Sequence, residues 1–268
     1  MRLSIVVPTL NQGKFISQTL ESLLQQDGGI DLEILIMDGG STDKTPSVIQ
    51  EYTPKLKHQG YRIINISEPD EGQSDAINKG FTLATGDILT YLNSDDYLEP
   101  GVVKKVIERF AAPDHPNWGY GGWRYVDIDR RIYKTIQPTA YSHRRLQVIC
   151  NIMQPSCIYR RDFLFRVGIL NKDLHLAMDY DLWLRMAENC GPTILPWIIS
   201  DARYYMDTKS STRGIEHIHE AFRLQRRYSS GLGLRLLQTF YFLRGLAVTY
   251  AKLDINHRIE MVRKHYET

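Results

Sequence analysis

Residues 62–96 read RIINISEPDEGQSDAINKGFTLATGDILTYLNSDD. Arg62 to Ile66 is an apolar, partly β-branched run of strand length. A polar cluster from Glu68 to Gln73 follows it. Ser74 to Ala84 then has helical spacing, with Ala76, Ile77, Gly80 and Phe81 on one side. Ile88 to Leu92 is a second strand, and it ends in Asn93, Ser94, Asp95 and Asp96. A strand, a helix and another strand of these lengths imply two parallel strands joined by a right-handed crossover.

The same alternation extends upstream. Leu3 to Val7 is a strand, and Phe15, Ile16, Thr19, Leu20, Leu23 and Leu24 recur at helical spacing. Leu32 to Met37 and Thr45 to about Leu56 repeat the unit. The expected fold is therefore α/β, a Rossmann-like, mostly parallel sheet flanked by helices. Downstream the pattern changes. Trp123–Ile128 and Arg131–Ile136 suit a hairpin around Asp129 and Arg130. Helices are expected near Arg161–Val167 and Asp179–Asn189, and short strands over Thr193–Leu195 and Arg203–Tyr205. After Gly214 the chain reads as helical, broken near Gly231 and Gly233.

Each of the four strands ends in a polar cluster. They are Pro8–Asn11, Asp38–Asp43, Glu68–Gln73 and Asn93–Asp96. Ligands of open parallel sheets bind outside the carboxyl ends of the strands, so four clusters at that edge point to a ligand site. Asp95 and Asp96 are adjacent carboxylates, which repel and resist desolvation unless a cation or donors compensate. Magnesium or manganese favours such oxygen ligands. A helix-capping turn before Pro100 explains the same residues without a metal. Asp38 is placed to accept a hydrogen bond from a base or ribose, and Gly39 and Gly40 allow close backbone approach. Asp-Gly is also common in plain turns. No GxGxxG is present, which argues against a dinucleotide cofactor.

The 268 residues suffice for one large domain, or one domain with an appendage. A formal net charge of +2 makes the whole molecule a poor electrostatic match for nucleic acid. Three cysteines, Cys150, Cys157 and Cys190, without paired spacing argue against a disulfide framework or zinc knuckle and suit buried positions in a reducing compartment. The N-terminus turns polar too early for a secretory signal, and no apolar run is long enough to span a bilayer. A cytoplasmic protein is expected, with the inner face of the membrane as an additional location.

The segments SIVVPTLNQGKFISQTLESLLQQ, LEILIMDGGSTDKT, EPDEGQSDAINKGFTLATGDILTYLNSDDYLEPG and QPSCIYRRDFLFRVGILNKDLHLAMDYDLWLRMA, in this order, resemble family-2 glycosyltransferases over roughly residues 1 to 205. The resemblance implies a GT-A fold and an inverting, metal-dependent transfer from a nucleotide-diphosphate sugar to a saccharide hydroxyl. It makes a UDP-sugar the foremost donor, with GDP- and dTDP-sugars open. On this resemblance residues 1–213 form the catalytic domain, with a nucleotide-binding half (1–100) and an acceptor-side half (101–213). Residues 214–268 form a helical basic extension.

The resemblance assigns Pro8, Thr9 and Asn11 to the first nucleotide-contacting loop and Asp38 to the base. It brings Gln73 and Lys79 towards the nucleotide. NSDD matches the metal-binding DxD region, with Asn93 where the family has its first aspartate. Asn93 and Ser94 then contact the nucleotide, Asp95 becomes the direct ligand of a manganese or magnesium ion, and Asp96 assists. Asp179 matches the family's catalytic base, the preceding acidic position being Met178. Asp181 is its rival, or merely favourable charge in a helix's first turn. Asp207 stands near the place of a family histidine, and Lys209 and Arg213 are candidates to clamp the diphosphate or to form a solvated basic loop. Trp123, Arg124 and Tyr125 either line the acceptor side or, as we favour, form hairpin core.

From residue 214 onward there are nine Lys or Arg against five Asp or Glu. Residues 232–253, LGLRLLQTFYFLRGLAVTYAKL, are apolar and aromatic but carry Arg235 and Arg244, which disfavour a membrane span. The segment suits peripheral contact with an anionic membrane, fitting a lipid-linked saccharide acceptor, or packing against the rest of the chain. Two rivals to a transferase in cell-surface polysaccharide assembly are a sugar-1-phosphate nucleotidyltransferase and a non-catalytic sugar-nucleotide-binding or scaffolding protein. The first requires a glycine-rich basic loop that residues 1–14 lack.

Overall fold

The computed structural model describes residues 1–205 and 212–266, with side chains as far as residue 251. The first half alternates β1 (Leu3–Thr9), α1 (Ile16–Leu24), β2 (Leu32–Asp38), α2 (Thr45–His58), β3 (Arg62–Ser67), α3 (Gln73–Leu83) and β4 (Ile88–Tyr91). Strands β3, β2, β1 and β4 pair in that order and all in parallel. Alternating residues of β1 point to opposite faces, as the period of a strand requires. Leu3, Ile5 and Val7 pack with Ile16, Leu20 and Leu23 of α1 and with Ile49 and Leu56 of α2. Val6 faces the other layer, with Met37, Ile77 and Phe81. Both sides of the sheet are thus covered, which explains why these strands read as unbroken apolar runs.

The chain reverses its direction of winding at β1, which lies between β2 and β4. The carboxyl ends of β1 and β4 therefore flank a topological switch point, where α/β sheets open a crevice. Beyond β4 come β5 (Tyr97–Leu98), α4 (Val102–Ala111), β6 (Trp118–Val126), β7 (Ile132–Ile136), α5 (His143–Leu146), β8 (Cys157–Arg160), α6 (Arg161–Val167), α7 (Met178–Asn189) and β9 (Thr193–Arg203). They extend the sheet as β4-β8-β6-β9-β5, with β7 on β6. Here only β6 and β9 run parallel, so the sheet becomes mixed.

Two short strands were expected around Thr193–Leu195 and Arg203–Tyr205; instead β9 is one strand of 11 residues. Pro196 suggests a break, but the register against β6 shifts from Tyr120↔Ile194 to Gly122↔Ile198. That bulge takes up the proline, which has no N–H to offer, and the strand continues. The chain ends in α8 (Gly214–Arg227) and α9 (Leu232–Tyr266), separated near Gly231, whose φ is +98°. Of the cysteines, Cys157 is buried as expected, whereas Cys150 is exposed. Among the described residues no helix is long and apolar enough to cross a membrane.

Helix α3 crosses the sheet closely because residue 80 is glycine. A Cβ there would sit 2.4 Å from Val6 Cγ1 and 2.9 Å from Val6 Cγ2. Val6 is fully buried, and its β-branched side chain is stiff. Gly80→Ala gains about 1 kcal/mol of helix propensity. It is nevertheless expected to destabilise the protein by a net ~1–3 kcal/mol through overpacking. A lower urea midpoint at unchanged slope checks this.

Candidate functional site

The ends of β1 and β2 are locked together before any ligand arrives. Thr9 and Asp38 are opposite each other in register, and Gly39 N donates to Thr9 O at 2.9 Å. Asp38 is buried, and its carboxylate accepts from Ser41 Oγ at 2.5 Å and from Ser67 Oγ at 2.6 Å. Asn11 adopts the left-handed backbone, φ 52°, and accepts Thr42 N on Oδ1 at 2.9 Å. Pro8 is held in the same ladder opposite Met37. Thr9 Oγ1 is buried and has no hydrogen-bond partner among the described residues. An orphaned buried hydroxyl at a ligand-binding edge is a group a ligand or a water can satisfy.

Lys79 lies on α3 with its ammonium 3.3 Å from both Glu68 and Asp75. Its charge is thus shared with the loop after β3. Gln73, at the start of α3, donates to Asn93 Oδ1 at 2.9 Å. Asn93 in turn donates through Nδ2 to Asp96 Oδ2 at 3.0 Å. The Asn93 amide is therefore a bridge between α3 and Asp96. A carboxylate could not donate to Asp96 and would repel it. Ser94 is buried in the same turn.

Asp95 and Asp96 are adjacent in sequence but have different surroundings. Asp96 is buried, and its other oxygen accepts Arg203 N at 2.9 Å. Burial, and then the charge of Asp95, push its pKa well above the usual carboxylate value. Asp95 is half-buried, and its Oδ2 accepts Tyr205 Oη–H at 3.2 Å. Among the described residues its Oδ1 has no protein partner, and burial raises its pKa. Asp95 thus has an oxygen open to a hard cation, whereas both oxygens of Asp96 are engaged. Among the described residues no group of three or more His, Cys, Asp or Glu side chains gathers around an ion position, but a single open carboxylate suits magnesium or manganese, which retain several waters or substrate oxygens. The residues present fit such an ion.

Arg203, at the end of β9, braces this loop. Its Nε donates to Asp95 O at 3.1 Å, Nη1 to Ile128 O at 3.0 Å and Nη2 to Gln18 Oε1 at 2.6 Å. The guanidinium lies 4.3 Å from the Phe15 ring centroid and 4.9 Å from that of Tyr97. The sequence reading did not single out Arg203, Gln18 or Tyr205. Nothing in their local pattern marks them, since each acts across the sheet.

The two acids of α7 divide in the same way. Asp181 is buried, paired with Arg185 Nε at 2.8 Å and accepting Tyr228 Oη–H at 3.0 Å. Asp179 is half-buried, and its Oδ1 accepts the neighbouring Tyr180 N at 2.7 Å. Burial raises its pKa; a positive charge on His217 of α8 opposes this, and the negative charge of Glu220 reinforces it. After burial, the charge of Asp179 is the largest influence on Tyr91, the last residue of β4. Trp123 is buried, as the hairpin-core reading expected, and Arg124 is spent on Asp201 at 2.6 Å and on Glu99. Arg213 pairs with Glu216. Asp207 and Lys209 lie outside the described residues.

A sheet with its polar residues gathered at a topological switch point defines an α/β protein with a candidate ligand site at the carboxyl ends of its strands. The model of glycosyl transferase family 2 matches residues 4–168, and the chain belongs to that family. A PGL/p-HBAD biosynthesis glycosyltransferase of Mycobacterium bovis is 31% identical over 186 residues, covering 69% of this chain and 70% of the relative. Among solved structures, Staphylococcus aureus TarS in complex with UDP matches with a TM-score of 0.61 at 21% identity, covering 85% of this chain and 65% of that one. A mannosyltransferase of Pyrobaculum calidifontis in complex with GDP-Man and Mn2+ matches with a TM-score of 0.66 at 17% identity, covering 95% and 75%. The fold is the expected GT-A type.

The amino end of α7 is held by a single side chain from α8. Glu220 accepts His175 N, Leu176 N and Ala177 N at 2.9, 2.7 and 2.8 Å. A carboxylate at a helix amino terminus satisfies orphaned donors and opposes the helix dipole. Glu220→Ala is expected to lower stability by about 2 kcal/mol, the scale of hydrogen bonds to a charged group. Amide exchange should accelerate at residues 175–177 while the sheet keeps its protection. Uniform exchange would refute the local role.

Proposed function

We propose that this chain is an inverting glycosyltransferase that moves a sugar from a nucleotide-diphosphate sugar, a UDP-sugar foremost, to a saccharide hydroxyl. One observation carries the proposal. Each acidic pair has one member with donors on both carboxylate oxygens, Asp96 and Asp181, and one member with a tyrosine donor on a single oxygen, Asp95 from Tyr205 Oη–H and Asp179 from Tyr180 N, among the hydrogen bonds between described residues. The ligands of similar solved structures, UDP, UDP-GlcNAc and GDP-Man, support a nucleotide-sugar donor. The name of the mycobacterial relative, a PGL/p-HBAD biosynthesis glycosyltransferase, supports a biosynthetic transferase, and we take the acceptor to be a saccharide or lipid-linked saccharide of cell-surface glycan assembly.

In this reading the nucleotide lies across the ends of β1 and β2, with Asp38 accepting from the base and Thr9 Oγ1 and Asn11 meeting the nucleoside. Asp95 holds a manganese or magnesium ion. When bound, that ion neutralises charge on the departing diphosphate. Asp96, Asn93 and Gln73 keep the Asp95 loop in place. Asp179 takes the proton of the acceptor hydroxyl as its oxygen attacks the anomeric carbon and the bond to the diphosphate oxygen breaks. Burial suits Asp179 to this role, because a raised pKa makes a stronger base.

Asp179→Asn is expected to keep nucleotide-diphosphate binding within about twofold while lowering turnover by about 10²–10⁴-fold. Asp95→Ala should abolish the tightening of that binding by manganese. Isothermal titration and release of free nucleotide diphosphate from a panel of UDP-, GDP- and dTDP-sugars measure both. An Asp179→Asn enzyme as fast as the wild type refutes the base.

The pH profile provides a second check. Asp179 must be ionised to accept a proton, and its folded pKa is raised. Activity is therefore present above that pKa and lost as pH falls through it, at a pH higher than an ordinary carboxylate would give. His217→Gln removes the charge that lowers this pKa, so the acid limb of kcat/KM should move to higher pH. A limb that stays in place or moves down contradicts the assignment.

A further inference from the structure

Helix α9 is apolar on two opposite faces. One face packs on α8. Leu234 and Gln238 are buried there, and Gln238 Nε2 donates to Gln147 O and Gln225 O at 3.0 Å each. Phe242 stacks on Phe222 with ring centroids 4.3 Å apart. A Cβ at Gly245 would touch Ile218 at 3.5 Å. The other face carries Leu232, Leu236, Phe240, Leu243 and Tyr250, whose spacing of three, four and seven keeps them on one stripe. Their exposures are 75%, 62%, 61%, 57% and 57%. No described residue covers this stripe, and contiguous exposed apolar surface of this kind marks an interaction site.

Charge selects the occupant. Arg235 and Arg244 are exposed, and the helical turn places them just outside opposite edges of the stripe. Residues 221–253 contain Arg223, Arg226, Arg227, Arg235, Arg244 and Lys252 and no Asp or Glu. Two copies meeting through this face would set arginine against arginine. An anionic surface would instead take the apolar stripe and pair with its basic margins. We propose that the outer face of α9 lies on an anionic lipid surface, with its leucines and Phe240 among the acyl chains and Arg235 and Arg244 at the headgroups.

The placement bears on the site. Helix α8 carries α9 on one side, while Glu220 and His217 bear on the segment around Asp179. A lipid surface on α9 would thus lie about one helix diameter beyond α8, roughly 10 Å. The lipid contact stands independently of the transferase reading, because it is measured by binding alone.

The full chain should partition onto phosphatidylglycerol-containing vesicles at least about tenfold more than onto phosphatidylcholine vesicles, and less as salt is raised. The triple change Leu236→Ser, Phe240→Ser, Leu243→Ser alters only exposed side chains. It should leave the thermal midpoint within about 2 °C and lower partition about tenfold or more. Arg235→Gln with Arg244→Gln, which removes no apolar surface, should lower binding to the anionic vesicles only. Absence of wild-type binding, or binding unchanged by the triple substitution, overturns the proposal. So does a wild-type dimer that the triple variant dissociates without any vesicle binding, which would assign the face to a second copy.

Discussion

Two adjacent carboxylates, Asp95 and Asp96, must sit at the carboxyl edge of a buried sheet, and everything around them serves to make that tolerable. Asp96 is buried and would be prohibitive without donors. Arg203 N and Asn93 Nδ2 supply them. The Arg203 guanidinium, set against Phe15 and Tyr97, adds a nearby positive charge and grips the loop through Asp95 O. Because Arg203 belongs to the last strand and Phe15 to the loop after the first, the same contacts join the two halves of the chain.

The base candidate depends on the carboxy-terminal helices in a comparable way. Tyr228 and Arg185 consume Asp181, Glu220 holds the backbone just before Asp179, and His217 opposes the effect of burial on Asp179. Gln225 and Gln238 add bonds to Val148 O and Gln147 O. Residues 214–251 therefore do more than follow the residues before them. They set the local electrostatics and the entry geometry of the helix that carries Asp179.

Much of this was legible in the linear pattern. Leu3–Val7, Leu32–Met37 and Ile88–Leu92 read as strands because a sheet buried on both faces requires continuous apolar runs, Arg62–Ile66 is a half-exposed edge strand marked by its isoleucines, and all four form. Helix α6 spans Arg161–Val167, the range that its sequence pattern predicts. Where local rules mislead, a tertiary contact is responsible. Pro196 reads as a strand breaker but is absorbed by a bulge against β6. The short strand β5 was not foreseen, since Tyr97 and Leu98 become a strand only by pairing with Asp201 and Ser200.

Sequence alone determined which residue types gather at the carboxyl ends of β1 to β4, because strand periodicity and turn chemistry are local properties. It therefore placed Asp38, Asp95 and Asp96 among the candidates, while Asp179 entered through the family resemblance alone. The resemblance ranked Asp95 before Asp96 and Asp179 before Asp181, but the local pattern held no physical ground for either order. Those distinctions rest on Arg203, Tyr205, Arg185, Tyr228 and Glu220. All but Arg185 are remote in sequence from the acids they contact. Only the folded chain decides which carboxylate is satisfied and which remains open, because that depends on donors brought together through space.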